Sequence, residues 1–379
     1  MQTVTLRDVA QAAGVSPATA SRVLSGNPAT SAVAREKVQA AAAQLGFSPN
    51  AQARSLRSTR TDSIALLISD VRNPYFADLA HSVELAAREL GLVTFIGNAN
   101  EDPEQQDEFL GAMLSRRVDG VLAVPQGLGD ASHATATPAL ERLLARRIPT
   151  VLVDRTLPEV PALSVTAEST QAVHDAVGAL HELGHRRIAV IGGPEHTSTA
   201  QERYASYAAA LQAHGLPLDE RLIFHGDFRS ATGAEGARWL LDLRQDPETC
   251  PTAVLIADSP MAIGALAVLR EAGVRVGTDL SVVTFDEIEA FALHDPPLST
   301  ISHDVGAMGR LAVEALASLL NGEAAVSAET AGAAVGSSVL RSEFTLRGSI
   351  GPAPGAPTAA PTPTPTTVKT TPPGPPPAT

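Results

Sequence analysis

Residues 5–28 read TLRDVAQAAGVSPATASRVLSGNP, and this stretch predicts two short helices joined by a tight turn. Apolar residues recur in it at the spacing of one helix face, at Leu6, Val9, Ala10 and Ala13. Gly14 then stands where a residue with positive φ commonly ends a helix. Ser16 and Pro17 suit the N-cap and the first position of the next helix. A helix, a short turn with glycine and a second helix form a helix-turn-helix unit.

The second helix predicts a surface that reads DNA. Arg22 can pair with a guanine edge and Ala18 can contact a thymine methyl group, while hydroxyl groups of the same helix and its cap can hold phosphates. Thr5 and Asp8 match a capping box at the start of the first helix. We therefore expect the DNA contacts of this unit to come from Thr5, Ser16, Pro17, Ala18, Thr19, Ser21 and Arg22.

A third helix, from Ser31 to Leu45, is expected to pack behind this pair through Val33, Val38, Ala41, Ala42 and Leu45. Residues 1–60 carry seven basic and two acidic side chains, which leaves −18 for the rest of a chain whose formal net charge is −13. A small basic segment on a large acidic chain is typical of a local nucleic-acid-binding module. The alternative is a plain three-helix bundle with solvated charges.

Residues 62–347 alternate short apolar runs with amphipathic helices. Strands are predicted at 63–69, 93–98, 120–124, 150–154, 187–193, 253–258 and 281–286. Continuous apolar strands separated by helices indicate parallel sheets covered on both faces, and their number indicates two α/β lobes. The segment that follows, rich in Pro, Thr and Ala, has too little apolar surface to offset chain entropy and is expected to be disordered.

Several classes of protein are disfavoured by the same composition. No apolar run reaches the roughly 18–20 residues that a membrane span needs, and the N-terminus lacks the apolar segment of a secretory signal. The single cysteine, Cys250, excludes an internal disulfide and a multi-cysteine metal site. We therefore expect a cytoplasmic protein.

Aspartates stand at the ends of four predicted strands, where ligands of parallel α/β sheets bind. They are Asp70, Asp154, Asp258 and Asp286. Arg203 lies in the helix after the fifth strand, and Tyr75, Phe76 and Phe228 supply aromatic rings. Carboxylates accept from adjacent hydroxyls, a guanidinium donates a planar fork and rings cover apolar faces, so the set suits a polyhydroxylated ligand. The alternative for each aspartate is that it only caps the following helix.

Patterns typical of enzymes are weak. The sequence HELGH at 181–185 matches the zinc-protease pattern H-E-x-x-H, but Gly184 is expected to end the helix before His185. The sequence IGGP at 191–194 lacks the full spacing of a dinucleotide loop. His303 with its neighbouring aspartate is expected at the surface or at an interface. We expect no catalytic residues, no metal and no cofactor; a hydrolase or dehydrogenase on an α/β body is the alternative.

The order of these features resembles the lac-repressor/galactose-repressor family of bacterial transcription regulators. The resemblance is carried by residues 5–28 and by GFSPNAQARSLRSTRTDSIALLISDVRNPYFADL at 46–79, and it extends from about residue 3 to residue 347. It implies an α/β protein with an N-terminal all-α helix-turn-helix head, a two-lobed periplasmic-binding-protein-like α/β body with parallel sheets, and a disordered Pro/Thr-rich C-terminal tail. The expected domains are a helix-turn-helix DNA-binding domain at 1–49, a hinge helix and linker at 50–61, a two-lobed ligand-binding and dimerisation domain at 62–348, and the tail at 349–379.

The resemblance also implies a role for the hinge. Residues 50–56 are too few for a stable isolated helix, and in the family this helix folds on DNA, where the residue at Leu56 enters the minor groove as an apolar wedge. The hinge contacts expected are Asn50, Ala53, Leu56 and Arg57. A plain linker is the alternative.

In the body, the resemblance implies roles for individual ligand-binding residues. Asp154, Arg203, Asp258 and Asp286 fall at positions that hydrogen-bond the ligand in sugar-responsive members, and aromatic residues fall at positions that line the cleft or stack on the ligand. Purine-responsive members carry arginine at the position of Thr197, which argues against a nucleobase, whereas Asp258-Ser259 departs from the Asn-Asp of many members. The expected ligand-binding residues are Asp70, Tyr75, Phe76, Asp154, Thr197, Thr199, Arg203, Phe228, Asp258 and Asp286.

Together these features predict a ligand-responsive, sequence-specific DNA-binding transcription regulator. We expect a homodimer whose two heads bind the half-sites of a near-palindromic operator. We expect a repressor of carbohydrate-utilisation genes that a sugar or sugar derivative releases from DNA by rearranging the lobes. The alternatives are a co-repressor-dependent regulator that binds a nucleobase or another small metabolite, and a sugar-binding module without a DNA-binding head.

Overall fold

The computed structural model describes residues 4–24, 29–47, 60–128, 135–158, 160–246, 248–323 and 337–354. The chain forms two compact units, which are described separately. Unit 1 comprises Met1–Glu168, Pro194–Glu202 and His303–Ser342. Unit 2 comprises Ser169–Gly193, Arg203–Ser302 and Glu343–Thr379. Within the described ranges, no helix is both long and apolar enough to cross a membrane.

The head, residues 1–49, contains the helices α1 (Leu6–Ala13), α2 (Pro17–Leu24) and α3 (Ala32–Leu45). The capping box predicted for α1 is present: the Thr5 N–H donates to the Asp8 carboxylate at 2.8 Å, and the Asp8 N–H donates to the Thr5 hydroxyl at 3.4 Å. Gly14 and Gly46 end α1 and α3 with φ angles of 65° and 63°. These features confirm the helix-turn-helix prediction.

The core of the head is aliphatic and small. It buries Val9, Ala10, Ala13, Ala20, Val23, Val38, Ala41 and Ala42. The expected packing of Val33 and Leu45 is wrong, because these side chains are 63% and 36% exposed. The face of α3 that meets the other two helices carries Val38 and the alanines. The apolar character of Val33 and Leu45 was therefore not enough to predict that they are buried.

The described part of the body contains twelve strands, nine α-helices and one short 3₁₀ helix, Glu220–Leu222. The strands are β1 (Ser63–Ile68), β2 (Val93–Asn98), β3 (Gly120–Ala123), β4 (Thr150–Val153), β5 (Leu163–Glu168), β6 (Ile188–Gly192), β7 (Ile223–His225), β8 (Ala253–Ile256), β9 (Ser281–Phe285), β10 (Ser299–Ser302), β11 (Ser338–Arg341) and β12 (Glu343–Thr345). The helices are α4 (Pro74–Glu89), α5 (Pro103–Arg116), α6 (Pro138–Ala145), α7 (Thr170–Glu182), α8 (Ser198–Ala213), α9 (Ser230–Leu243), α10 (Ser259–Glu271), α11 (Glu289–Leu293) and α12 (Val305–Leu320).

Each unit has one six-stranded sheet, and the two sheets repeat one strand order. The order is β11-β5-β4-β3-β1-β2 in unit 1 and β12-β10-β9-β8-β6-β7 in unit 2. Neighbouring strands are parallel except β10 and β12, which pair antiparallel. All six residues of β1 are buried, as a strand covered by helices on both faces requires. The prediction of two lobes with parallel sheets is confirmed.

The fourth strand of each sheet ends in an aspartate with an unusual backbone. Asp154 follows β4 with a φ of 65°, and Asp286 follows β9 with a φ of 68°. The N–H of each donates to the adjacent strand, to the Val165 carbonyl at 2.8 Å and to the Ile301 carbonyl at 3.0 Å. Positive φ is uncommon outside glycine and is concentrated at functional sites. The repeat therefore marks the carboxyl edge of both sheets.

The HELGH segment follows the predicted pattern of a helix end. α7 ends at Glu182, Gly184 has a φ of 90°, and His185 lies outside the helix, fully buried. The imidazole of His185 bonds the Thr252 hydroxyl through Nδ1 at 2.8 Å and the Gly351 carbonyl through Nε2 at 2.9 Å. The two histidines therefore do not share a helix face.

The predicted start of the disordered tail at residue 349 is wrong. Ser349 and Ile350 are buried. The Ser349 hydroxyl donates to a carbonyl of β9 at 2.6 Å, and the Ala353 N–H donates to the carbonyl just after α7 at 2.9 Å. Burial of an isoleucine and pairing of these polar groups hold the segment on unit 2, despite its Gly- and Pro-rich composition. Residues 355–379 lie outside the described residues, as do the predicted hinge contacts Asn50, Ala53, Leu56 and Arg57.

Candidate nucleic-acid interface and effector site

The outer face of α2 presents most of the residues predicted to contact DNA. Pro17, Ala18 and Arg22 are exposed, and Ser21 is half-buried. The Arg22 Nε donates to the Ala18 carbonyl at 3.3 Å, which lays the side chain along the helix surface. The structure therefore places a guanidinium and a small apolar side chain on one accessible face, as base-edge recognition in the major groove requires.

The first turn of α2 is organised by hydroxyl groups. The Ser16 hydroxyl accepts from the Thr19 N–H at 3.1 Å and lies 2.9 Å from the Thr19 hydroxyl. Thr5 is similarly fixed at the start of α1, where its N–H and hydroxyl lower the pKa of Asp8. Helix N-termini attract phosphate through their free N–H groups and dipole. The three hydroxyl residues therefore lie at two helix starts that suit DNA phosphates.

In unit 1, the structure brings Tyr75 and Asp154 together although they are far apart in sequence. The Tyr75 hydroxyl donates to the Asp154 carboxylate at 2.9 Å. It also lies 3.1 Å from Nε2 of His303 and 3.3 Å from Sδ of Met308. A phenol carries one hydrogen, so while Tyr75 donates to Asp154, the His303 Nε2 acts as the donor. His303, which the sequence predicts at the surface or at an interface, is half-buried and contacts Tyr75.

A buried ion pair supports the same edge of unit 1, and sequence reasoning missed it. Arg155 donates to the Glu101 carboxylate through both terminal nitrogens, at 2.7 and 2.8 Å, and the two side chains are only 4% and 8% exposed. The Arg155 guanidinium lies 5.9 Å from the ring centre of Phe76. A signal was available, because Arg155 directly follows Asp154, but its partner lies 54 positions away.

Asp70 has a more local role in unit 1. Its carboxylate accepts from the backbone N–H of Arg72 at 2.9 Å and pairs with the Arg72 guanidinium at 2.7 Å. This contact raises the pKa of Arg72. The cap of α4 comes from Asn73, whose side chain accepts from the Tyr75 N–H at 3.0 Å. Asp70 is therefore fixed within the β1–α4 turn.

In unit 2, Arg203 is held at the carboxyl edge of the sheet by three groups. Its guanidinium donates to the Ala257 carbonyl, lies 4.4 Å from the ring centre of Phe285 and approaches the Asp286 carboxylate at 3.9 Å. Asp286 also accepts from the Ser259 N–H at 3.1 Å. Arg203 and Asp286 therefore lie close together, with a cation on an aromatic face beside a buried carboxylate.

The other predicted ligand residues are placed differently. Asp258 accepts from the Met261 N–H at 2.9 Å and so caps α10, which is the alternative stated for strand-end aspartates. Phe228 is buried with a φ of 62°. Thr197 donates its hydroxyl to the Pro194 carbonyl at 2.9 Å, and Thr199 is half-buried in the first turn of α8; both threonines belong to the part of α8 and its preceding loop assigned to unit 1.

No metal centre emerges from the described residues, since they contain no group of three or more His, Cys, Asp or Glu side chains that could hold an ion.

Two known families match different parts of the chain. Residues 5–50 match the family described as bacterial regulatory proteins, lacI family. Residues 177–339 match the family described as periplasmic binding protein-like domain. The first match covers the helix-turn-helix unit, and the second covers most of unit 2 with α12.

Similar proteins span almost the whole chain. The HTH-type transcriptional repressor CytR of Escherichia coli (strain K12) is 32% identical over 345 residues, which cover 91% of this chain and 96% of CytR. A lac repressor dimer bound to operator and the anti-inducer ONPF matches with a TM-score of 0.77 and 28% identity, over 92% of this chain and 99% of that chain. A complex of the transcriptional regulator CelR with cellobiose matches with a TM-score of 0.66 and 30% identity, over 91% and 99%. These relatives are transcription regulators rather than enzymes.

Proposed function

The chain belongs to the lacI family of bacterial regulatory proteins, and from this premise we propose that it is a repressor whose binding to operator DNA is weakened by a sugar or sugar derivative. As a member of that family it is a DNA-binding transcription regulator. We propose no enzymatic activity for it and place its action in the cytoplasm, where the operator is. The proposed domains are those expected from the sequence, with the start of the tail moved past residue 354.

The observation that carries the DNA-binding part is the geometry of α2. Its exposed face carries Arg22 and Ala18, its first turn is capped by Ser16, and the residues around it are net basic while the rest of the chain is acidic. The acidic body repels phosphate, so DNA contact is confined to the head and the hinge. Two heads of a homodimer would bind two half-sites one or more helical turns apart.

The effector-binding part rests on Arg203 and Asp286 in unit 2. A guanidinium over Phe285 beside a buried carboxylate offers a planar donor and an acceptor, the combination that hydroxyl-rich molecules need. CelR was solved with cellobiose, which supports a carbohydrate as the first class to test. Tyr75, Phe76 and Asp154 of unit 1 remain predicted effector contacts, as does Phe228 of unit 2.

The direction of regulation follows from thermodynamic linkage. An effector that weakens DNA binding must bind the DNA-free state more tightly than the DNA-bound state, by the same factor by which it weakens DNA binding. A co-repressor would show the opposite preference. A nucleobase acting in that way is the second candidate, and the absence of arginine at Thr197 disfavours it.

A thermal-shift panel of the full-length chain tests the effector. The panel contains cellobiose, common monosaccharides, sugar phosphates and nucleobases. A compound at about 100 times its dissociation constant stabilises the folded state by about 2.7 kcal/mol. We expect a sugar to raise the melting temperature of the wild type and not that of Asp286→Asn, which keeps an acceptor for the Ser259 N–H but removes the charge.

The matched control is Asp219→Asn. Asp219 is a half-buried carboxylate of unit 2 that pairs with Arg221 at 2.8 Å and is not a predicted effector contact, so its replacement should leave the sugar response intact. If a nucleobase raises the melting temperature instead, a nucleobase co-repressor replaces the sugar as the proposed effector. If a sugar still raises the melting temperature of Asp286→Asn, the effector site does not include Asp286.

A further inference from the structure

Arg60 and Thr61, the last two residues of the hinge and linker segment (50–61), are hydrogen-bonded to unit 1. Arg60 donates through Nη2 to the Leu320 carbonyl at 2.8 Å. Thr61 donates its N–H to both oxygens of Asp119, at 2.8 and 3.0 Å, and its hydroxyl lies 2.8 Å from that of Ser63. The Thr61 bonds attach the chain to the start of the sheet, whereas the Arg60 bond attaches it to the end of α12.

The contact of Arg60 falls on a group that a helix leaves available. Leu320 is the last residue of α12, and the last four carbonyls of a helix have no partner within it. A cationic side chain near a helix C-terminus satisfies such a carbonyl and interacts favourably with the helix dipole. The Arg60–Leu320 hydrogen bond therefore depends on where the C-terminal end of α12 lies.

The opposite end of α12 reaches the Tyr75–Asp154 pair. Met308, in the first turn of α12, lies with its Sδ 3.3 Å from the Tyr75 hydroxyl, and the preceding His303 lies 3.1 Å from the same oxygen. Twelve residues at 1.5 Å each separate Met308 from Leu320, a distance of about 18 Å along the helix axis. One helix thus joins a predicted effector contact to Arg60, near the end of the hinge and linker segment.

α12 packs closely against α4 and β3 between these ends. A methyl group on Gly309 would overlap the hydroxyl oxygen of Ser82 on α4, and Leu316 packs where a side chain on Gly120 of β3 would lie. Close-packed interiors transmit displacement rather than absorb it. A shift of α12 at its Met308 end is therefore expected to move the Leu320 carbonyl.

We propose that Arg60 is a positioning residue that couples the hinge to the Tyr75–Asp154 pair through α12. The proposal rests on the proposed function, because its output is operator binding. When the hydrogen bonds of Tyr75 change, α12 shifts and the Arg60–Leu320 bond is made or lost, since a hydrogen bond weakens over a few tenths of an ångström and a few tens of degrees. Arg60 then holds or releases the start of the body next to the hinge.

A double-mutant cycle on the full-length chain tests this coupling. The variants are Tyr75→Phe, Arg60→Gln and their combination, and the probe is a duplex that the wild-type chain selects from a random DNA library. Fluorescence anisotropy at fixed salt gives each dissociation constant. We expect Arg60→Gln to change the dissociation constant at least fivefold in the wild type and less than twofold in Tyr75→Phe. Arg60→Lys, which keeps a donor, should recover part of the effect.

Residues this far apart ordinarily contribute independently, so equal effects of Arg60→Gln in both backgrounds, within about twofold, overturn the coupling. If Arg60 only contacts a phosphate, Arg60→Gln has equal effects in both backgrounds. It then also lowers the slope of log affinity against log salt concentration by about 0.9. The control Arg88→Gln removes an exposed arginine of α4 that pairs with Glu84 at 3.7 Å, and should be independent of Tyr75→Phe. A wild type that selects no duplex overturns the proposed function itself, and the coupling with it.

Discussion

Replacing Glu101 by glutamine tests whether a buried ion pair holds the carboxyl edge of unit 1. The Arg155 guanidinium is 4% exposed and makes two hydrogen bonds shorter than 3 Å to Glu101. Glutamine keeps one acceptor oxygen but removes the charge and the second short bond. The arginine then stays buried beside the Gln126 amide oxygen at 3.3 Å and the Asp154 carboxylate at 3.8 Å.

The expected loss follows from the cost of leaving one charge of a buried pair. Removing one partner typically costs 3–5 kcal/mol, and the retained acceptor places Glu101→Gln at the lower end, about 3 kcal/mol. For a unit of roughly 150–250 residues, each kcal/mol lowers the melting temperature by about 2–4 °C, so we expect a loss of about 6–12 °C by calorimetry.

Two controls test whether the loss of stability comes from the unpaired charge of Arg155. Glu104→Gln changes an exposed glutamate in the first turn of α5 and should alter stability by less than about 1 kcal/mol. The double variant Glu101→Leu with Arg155→Met removes both charges and should lose less than the single variant, because apolar replacements of a buried pair are often neutral. A Glu101→Gln loss no larger than that of Glu104→Gln would refute the buried pair.

Three further changes have defined outcomes. Gly309→Ala should cost about 1–3 kcal/mol in chemical denaturation, because its methyl group meets Ser82 on α4; an unchanged midpoint would contradict the close helix contact. Arg22→Gln should weaken binding of a selected duplex by about 1–3 kcal/mol and relax preference at one base pair, whereas a uniform loss over all sequences would assign Arg22 to phosphate. Burial lowers the pKa of His185. Below about pH 6.5 the unfolded state therefore binds more protons than the folded state, and the free energy of unfolding should rise with pH up to that value. His185→Gln should flatten this slope, and an unchanged slope would contradict the assignment of the pH dependence to His185.

The parts of the fold that the sequence predicts are those with strong local signals. β1, β8 and β9 are mostly apolar runs that are fully buried, and the cap and glycine signals of α1 are all used. β5 and β10 were not predicted, because half of LSVTAE and most of STIS is polar, and both segments form strands by pairing with a neighbouring strand.

The candidate site was predicted as residues but not as contacts. Asp154 and Asp286 were selected because they end predicted strands, and Arg203 because it lies in the helix that follows a strand; both are local properties. The partners of these residues depend on the fold: Tyr75 is 79 positions from Asp154, and Glu101 is 54 positions from Arg155. No local pattern encodes such pairings, which arise when parallel strands bring their carboxyl ends to one edge.

We propose that this chain binds a specific DNA sequence and releases it when a sugar binds. The most direct measurement selects duplexes from a random library with the full-length chain, then follows the enriched duplex by fluorescence anisotropy with and without the sugar found in the thermal-shift panel. We expect a near-palindromic sequence bound with a dissociation constant of about 10⁻⁸ M or tighter at physiological salt, and at least tenfold weaker binding with the sugar. Binding without sequence preference, or an affinity that the sugar leaves unchanged, would contradict the account.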